Sequence, residues 1–412
     1  MTIVDVKVKT VDHSAKYLYP NRTIEIKTSG QSVMTPIRAA TYYEYQEKAK
    51  VPTDIPLNNQ ISINVENLSH NRFDKLLTTN HYFTKLQRRI ELSNRLAQYS
   101  DLRLVLLRPT VSPQIDKKTG KVIRSSPMEL LAQNPALRDK FIRFLLKMQY
   151  DVGLNPISIP FLRLPFNAFR DVITQIDKSL EKIDRQPLFF VDLNYDDFES
   201  AIDLIVNKLE SKMVGLYFRR FSSYPQSYEV LSRYIETDVA FTTVQVDRYD
   251  YNYDDISTMH YLPFLGNDVY AVKTPSPFGR SITEEEGKGP PQDRLAYVRL
   301  FDKESLRVRP ITLARTTVER LADEYKDDSL ITTILDNYDE ANTDYAKYKV
   351  LRAFSKVSEV NSSLSEFSRL RDYIEESSTR DYVQEKQILR KTLQEARQHA
   401  VRPSSLKQAK LI

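Results

Sequence analysis

Pro187–Asn194 reads PLFFVDLN, Met213–Arg220 reads MVGLYFRR and Val239–Arg248 reads VAFTTVQVDR. Each is a short, nearly continuous apolar run that stops on charged or amide residues, the pattern of a strand buried on both faces. Three similar runs precede them: Ile61–Glu66 (ISINVE), Leu102–Arg108 (LRLVLLR) and Ile157–Arg163 (ISIPFLR). Two follow, Val269–Lys273 (VYAVK) and Ala296–Leu300 (AYVRL). From Pro187 onward the runs begin roughly 26 to 30 residues apart, the length of one βα unit.

The intervening segments carry helical stripes. Phe169, Val172, Ile173, Ile176 and Leu180 share one face, and so do Phe198, Ile202, Ile205, Val206 and Leu209. Helices are likewise expected within 70–100, over 127–150 and over 224–236. Strands alternating with helices predict an α/β fold, here a (β/α)8 TIM-like barrel over residues 59–309. Residues 1–58 alternate at period two in Met1–Val11 and Arg22–Thr28, which predicts an N-terminal antiparallel β extension. Residues 310–400 read as a charged helical extension, and 401–412 as a basic flexible tail.

The chain has 412 residues and a net charge of +5. Residues 380–412 hold eight Lys/Arg against three Asp/Glu, which equals that whole excess. Lys386, Arg390, Lys391, Arg397, Arg402, Lys407 and Lys410 would give a helix and tail a cationic face for nucleic-acid phosphates, or an ordinary solvated surface. Cysteine is absent, which excludes disulfides, thiolate catalysis and Cys-ligated zinc. There is no GxGxxG, P-loop, GxSxG or HExxH pattern, and the five His are scattered, so neither a cofactor nor a metal site is expected. No apolar run approaches the ~18 residues of a membrane span, and a cytoplasmic protein without membrane contact is expected.

A parallel barrel gathers its chemistry at the carboxyl ends of its strands. Those ends carry Glu66 and Asn67, Arg108, Arg163, Asp192 and Asn194, Arg219 and Arg220, Asp247 and Arg248, Lys273, and Asp302. The cations among them are mostly arginines, whose planar forks match phosphate oxygens, so a cationic bowl for a polyanion is expected. Asp192 and Asp247 sit within that ring. An ionised aspartate there would serve as nucleophile or base, or would neutralise the arginines in a structural ion-pair ring. His260 is a further candidate acid–base, or a packed ring.

Arg22–Arg38 reads RTIEIKTSGQSVMTPIR, with an Arg-led strand, a turn at Gly30 and the pair Thr35-Pro36. Gly266–Tyr270 reads GNDVY. In these runs and in the order of its elements the chain resembles the tRNA-guanine transglycosylase superfamily, without that family's Asp-Ser-Gly-Gly-Phe-Gln signature and zinc site. The resemblance implies base exchange or glycosyl transfer on tRNA or DNA. Asp247 would be the nucleophile and Asp192 would recognise the base. Arg108, Arg163, Arg219, Arg220, Arg248 and Lys273, with Asn194, would hold substrate and phosphates. A non-catalytic scaffold that binds nucleic acid, or protein partners through the C-terminal helices, is the alternative, and an enzyme of small phosphorylated substrates is a third.

Overall fold

The structure, a computed structural model, describes residues 2–14, 20–49, 57, 60–98, 100–116, 118–218, 225–246, 260–271, 298–303, 305–311, 319, 336–340 and 343–401. Three antiparallel strands come first: β1 (Ile3–Asp12), β2 (Asn21–Thr28) and β3 (Ser32–Met34). The central sheet has eight parallel strands. In chain order they are β4 (Ile37–Thr41), β5 (Ile61–Leu68), β6 (Leu102–Pro109), β9 (Ile157–Ile159), β10 (Pro187–Asp192), β11 (Met213–Phe218), β12 (Ala240–Gln245) and β13 (Val269–Ala271). They follow the order β6-β5-β4-β13-β12-β11-β10-β9, and the end strands β6 and β9 lie side by side. The sheet is therefore nearly closed into an α/β barrel.

Seven of the eight expected strands are in this sheet, and the eighth is a correction. The run at Ala296–Leu300 overlaps β14 (Val298–Asp302), which pairs antiparallel with β15 (Arg307–Ile311) as a separate hairpin. The remaining barrel strand is β4, inside the stretch read as an N-terminal extension. The barrel thus starts at Ile37, not near residue 59.

The connecting segments supply the outer layer. After β4 comes α1 (Tyr42–Lys48), and after β5 come α2 (His70–Thr78) and α3 (Asn80–Leu96). The β6–β9 connection holds a two-stranded hairpin, β7 (Gln114–Ile115) and β8 (Val122–Arg124), then α4 (Pro127–Gln133) and α5 (Pro135–Asp151). Ser126 and Asn134 cap those two helices through Glu129 N and Leu137 N, and each cap is followed by proline at the first helical position. Next come α6 (Phe166–Glu181), α7 (Phe198–Asp203), continued by a π-helical turn Leu204–Lys208, and α8 (Pro225–Ser232). The C-terminal helices are α9 (Asp344–Glu375), α10 (Thr379–Glu385) and α11 (Gln387–Val401).

The helix α9 is no free extension. It packs on β4, α1, β1, β2 and β14. Arg38 on β4, with no exposed surface, lies between Glu44 of α1 and Glu359 of α9, donating to Glu44 Oε2 at 3.1 Å and to Glu359 Oε1 at 3.3 Å. On the next strand Tyr270 stacks against Phe367 of α9 with ring centroids 5.5 Å apart. Tyr270 is the register partner of Arg38, so both point outward.

Alternation then assigns the inward faces. Ile37, Ala39 and Thr41 point into the barrel, and register carries the same face to Val65, Asn67, Leu106 and Arg108, and on β10–β12 to Phe190, Asp192, Gly215, Tyr217 and Val244. Towards the strand starts this interior is mainly apolar; at the carboxyl ends it turns polar. Gly215 is required by a close approach: a Cβ there would sit 2.5 Å from the Phe190 ring.

The seam between β6 and β9 has its own device. Ile157 N bonds to Gln186 O on the β10 side, so Ser158 N and O face the other edge. Gln149 of α5, fully buried, meets them with its amide, Nε2 donating to Ser158 O at 2.8 Å and Oε1 accepting from Ser158 N at 2.9 Å. A side-chain amide thus takes the part of a neighbouring strand for both backbone groups of Ser158. At the opposite end of the barrel from the strand tips, Arg22 of β2 donates to Asp268 Oδ1 and Oδ2 at 3.0 and 2.8 Å and to the carbonyls of Tyr234, Ile235 and Val239. This fastens the N-terminal sheet over the amino ends of β12 and β13.

Two stability outcomes follow. Gly215→Ala should cost about 1–3 kcal/mol through overpacking against Phe190, and Phe190→Leu in the same chain should recover part of it, by urea denaturation. Arg38→Met leaves Glu44 and Glu359 buried without their shared cation and should cost about 3–5 kcal/mol by the same measurement.

Candidate functional site

At the carboxyl ends of β6, β9, β10 and β11 lies a cavity of about 290 Å³. It is lined by Arg108, Val111, Met128, Phe161, Arg163, Leu164, Pro165, Asp192, Asn194, Tyr195, Asp196, Asp197 and Tyr217. Four residues expected from the strand ends thus converge: Arg108, Arg163, Asp192 and Asn194. Asp247, Arg219, Arg220, Arg248 and Lys273 lie outside the described residues.

Arg108 is buried at the inner tip of β6. It donates to Val246 O just past β12 at 3.0 Å and to Asn67 Oδ1 at 3.4 Å, and its guanidinium sits 5.4 Å from the centre of the Tyr217 ring. The cation therefore reaches across the barrel's top layer. Tyr217 is fully buried. Burial pushes its hydroxyl pKa up, the Arg108 charge and the nearby Phe161 amide pull it down, and Asp192 raises it again. The phenol stays neutral, able to donate a hydrogen bond.

Asp192 ends β10 as the register partner of Tyr217. Its Oδ1 accepts from Asn194 N at 3.0 Å and its carbonyl from Tyr195 N at 2.9 Å, so the turn leaving the strand is built on this residue. Tyr195 donates to Leu164 O at 2.9 Å and meets Phe161 edge-on at 5.0 Å. Burial, and then the negative charges of Asp197 and Asp196, push its hydroxyl up to about 12. Arg163 projects from the loop between β9 and α6 and is exposed at the cavity rim.

The cavity is not uniformly cationic. Two arginines face three carboxylates, Asp192, Asp196 and Asp197, among the described residues. Such a lining suits a ligand that offers both hydrogen-bond donors and negative charge. Tyr217, Tyr195, Phe161, Asp196 and Asp197 were not singled out from sequence. The alternation of MVGLYF puts Tyr217 on the face of Gly215, and NYDD follows directly on β10, so both signals were present.

Several strand-end residues are elsewhere. Glu66 faces outward from β5 to Arg89 of α3, and burial raises its carboxyl pKa against the pull of Arg89 and Arg72. Asp302 belongs to β14 and binds Ser305 at 2.7 Å. Lys386 is buried, donating to Lys303 O at 2.9 Å and facing Glu366 at 3.2 Å, so it is no part of a cationic tail surface; Arg390 and Lys391 are exposed. His260 is a packed ring, stacked between Phe301 at 4.8 Å and Phe367 at 5.0 Å.

Among the described residues, no group of three or more His, Asp or Glu could hold a metal ion, and no helix is long and apolar enough to cross a membrane. No family model matches the chain, and no curated protein matches it.

Burial, followed by the charges of Arg38 and Lys386, lowers the pKa of His260 to about 3, against 6.5 ordinarily. The unfolded chain therefore binds a proton that the folded chain refuses between those values, and stability falls as pH drops from about 6.5 towards 3. His260→Phe should remove that part of the pH dependence, about 1.4 kcal/mol per pH unit in the window, read as the difference between wild-type and variant urea curves at pH 4 to 7.

Proposed function

We propose that this chain is a (β/α)8 barrel, with α9 as its eighth outer helix, that acts on a nucleotide unit of nucleic acid by base exchange or glycosyl transfer. The observation that carries the reading is the cavity itself. Arg108 and Arg163, buried carboxylate-bearing Asp192, the Asn194 amide and the rings of Phe161, Tyr195 and Tyr217 all meet there. A nucleotide combines the groups these residues match. Its phosphate suits an arginine fork, its base N–H groups suit a carboxylate, and its flat face suits an aromatic wall.

In this reading Asp192 holds the base and Asp247 is the nucleophile. Asp247 follows Val246, the residue whose carbonyl receives Arg108. Its carboxylate oxygen would bond to C1′ as the N-glycosidic bond breaks, and the departing base would leave with the bonding pair and take up a proton. An incoming base would then lose a proton, attack C1′ and release the carboxylate. The resemblance of Arg22–Arg38 and Gly266–Tyr270 to the transglycosylase superfamily supports the same assignment. In this fold, Arg22 and Asp268 from those two runs form a buried pair that fastens the N-terminal sheet to the barrel.

The test is incorporation of labelled base into tRNA and into duplex DNA. Asp247→Asn should abolish exchange while nucleic-acid binding persists. Asp192→Asn should raise KM about 10- to 100-fold, the worth of roughly 1.5–3 kcal/mol for a hydrogen bond to a charged group. Exchange that survives Asp247→Asn unchanged, or wild-type protein that binds nucleic acid without exchanging a base, would leave the mouth as the binding site of a scaffold.

A further inference from the structure

The hairpin β7–β8 is inserted between two residues that line the cavity. Its two feet are Val111 and Met128, both cavity-lining, and Met128 N bonds to Thr110 O at 3.3 Å where the loop closes. Yet the hairpin buries almost nothing. Ile115, Val122 and Ile123 are 51, 61 and 62% exposed, among the largest apolar exposures of the described residues.

Its shape is nevertheless fixed. Asp116 accepts from Lys118 N and Thr119 Oγ1, each at 2.8 Å, and Asp116 N donates to Lys121 O at 2.8 Å. Gly120 turns the chain at φ +67°. At the base, Arg124 pairs with Asp74 and His70 Nε2 lies 3.0 Å from Ser125 O. A well-formed hairpin tied down only at its base presents its apolar side chains and the turn residues Lys118 and Lys121 outward. In sequence, Lys117, Lys118, Lys121 and Arg124 lie within eight residues, and the one acid beside them, Asp116, is engaged in the turn.

We propose that the β7–β8 hairpin is the arm by which this chain grips the polynucleotide around the nucleotide seated in the mouth. The inference rests on the nucleic-acid reading above and goes beyond it. A strand whose nucleotide enters the cavity crosses its rim, and the connection from β6 to α4, whose Val111 and Met128 line that rim, carries this hairpin. Lys118 and Lys121 match the flanking phosphates. Drawing a nucleotide out of its stack leaves its neighbours uncovered, and the exposed β-branched side chains Val122 and Ile123 would pack on the bared base faces.

The experiment measures binding of a fluorescent tRNA, a fluorescent DNA duplex and a nucleoside monophosphate to the full chain across a salt series. Lys118→Glu with Lys121→Glu should weaken both polynucleotides roughly tenfold or more and flatten log K against log salt by about 1.4 to 1.8, with monophosphate binding unchanged. Lys118→Arg with Lys121→Arg should retain wild-type affinity. Val122→Ser with Ile123→Ser should weaken the polynucleotides without altering the salt slope, in a protein of unchanged circular dichroism. Polynucleotide affinity unmoved by the charge reversal overturns the arm, while leaving the mouth reading intact. A wild-type dimer that Val122→Ser with Ile123→Ser converts to monomer also overturns it, since a second copy would then be the occupant. If Asp192→Asn fails to move monophosphate binding while the charge reversal still weakens the polynucleotides, the arm stands and the mouth reading falls. Wild-type protein that binds neither polynucleotide sinks both.

Discussion

A single buried guanidinium joins the two ends of the barrel chain. Arg38, on the first barrel strand, is enclosed by Glu44 six residues on and Glu359 on α9. Unpaired, a charge with no exposed surface would be strongly destabilising; paired with two carboxylates, it is tolerable and directional. Burial would raise Glu359, but the charges of Lys356 and Arg38 outweigh it and hold its carboxyl below the ordinary range. The triad sets the position of α9 against β4, and Phe367 then lies on Tyr270 and on His260. The outer wall between β4 and β13 depends on that placement.

Inside the barrel a different principle holds. Apolar layers fill the lower part, where Phe190 occupies the space that Gly215 leaves open. The last inward positions of β6, β10 and β11, where the cavity forms, are polar: Arg108, Asp192 and Tyr217. The same alternation therefore builds a dry support and a polar mouth, in which Arg108, Asp192 and Tyr217 stand on strands while Arg163, Asn194, Asp196 and Asp197 come from the loops beyond them. Arg108 is held from two sides, by Val246 O and Asn67, before any ligand arrives. That fixes the direction of its charge.

Much of the barrel could be read from periodicity, because long apolar runs such as PLFFVDLN and MVGLYF have few other uses in a globular chain. β4 was missed for a definite reason. IRAAT is short and has an arginine at its second position, and nothing local shows that the arginine's partner lies 321 residues away. The run AYVRL was misassigned because a hairpin strand and a barrel strand of that length look alike; only the pairing partner tells them apart. α9 reads as a charged extension, yet Ser355, Ser358, Glu359, Ser363 and Glu366 along it are all buried. At the mouth the convergence of Arg108, Arg163, Asp192 and Asn194 was legible from the strand ends. The acidic half was not, because Asp196 and Asp197 come from the turn after the strand and not from the strand itself.

The distance of 321 residues between Arg38 and Glu359 also sets a schedule for synthesis. At ribosomal rates of about 5–20 residues per second, β4 emerges tens of seconds before the helix that covers it. Over that interval the outward side of β4 is without its last partner, and the nascent polypeptide carries an unfinished flank. Completion of the wall therefore waits for α9 to emerge.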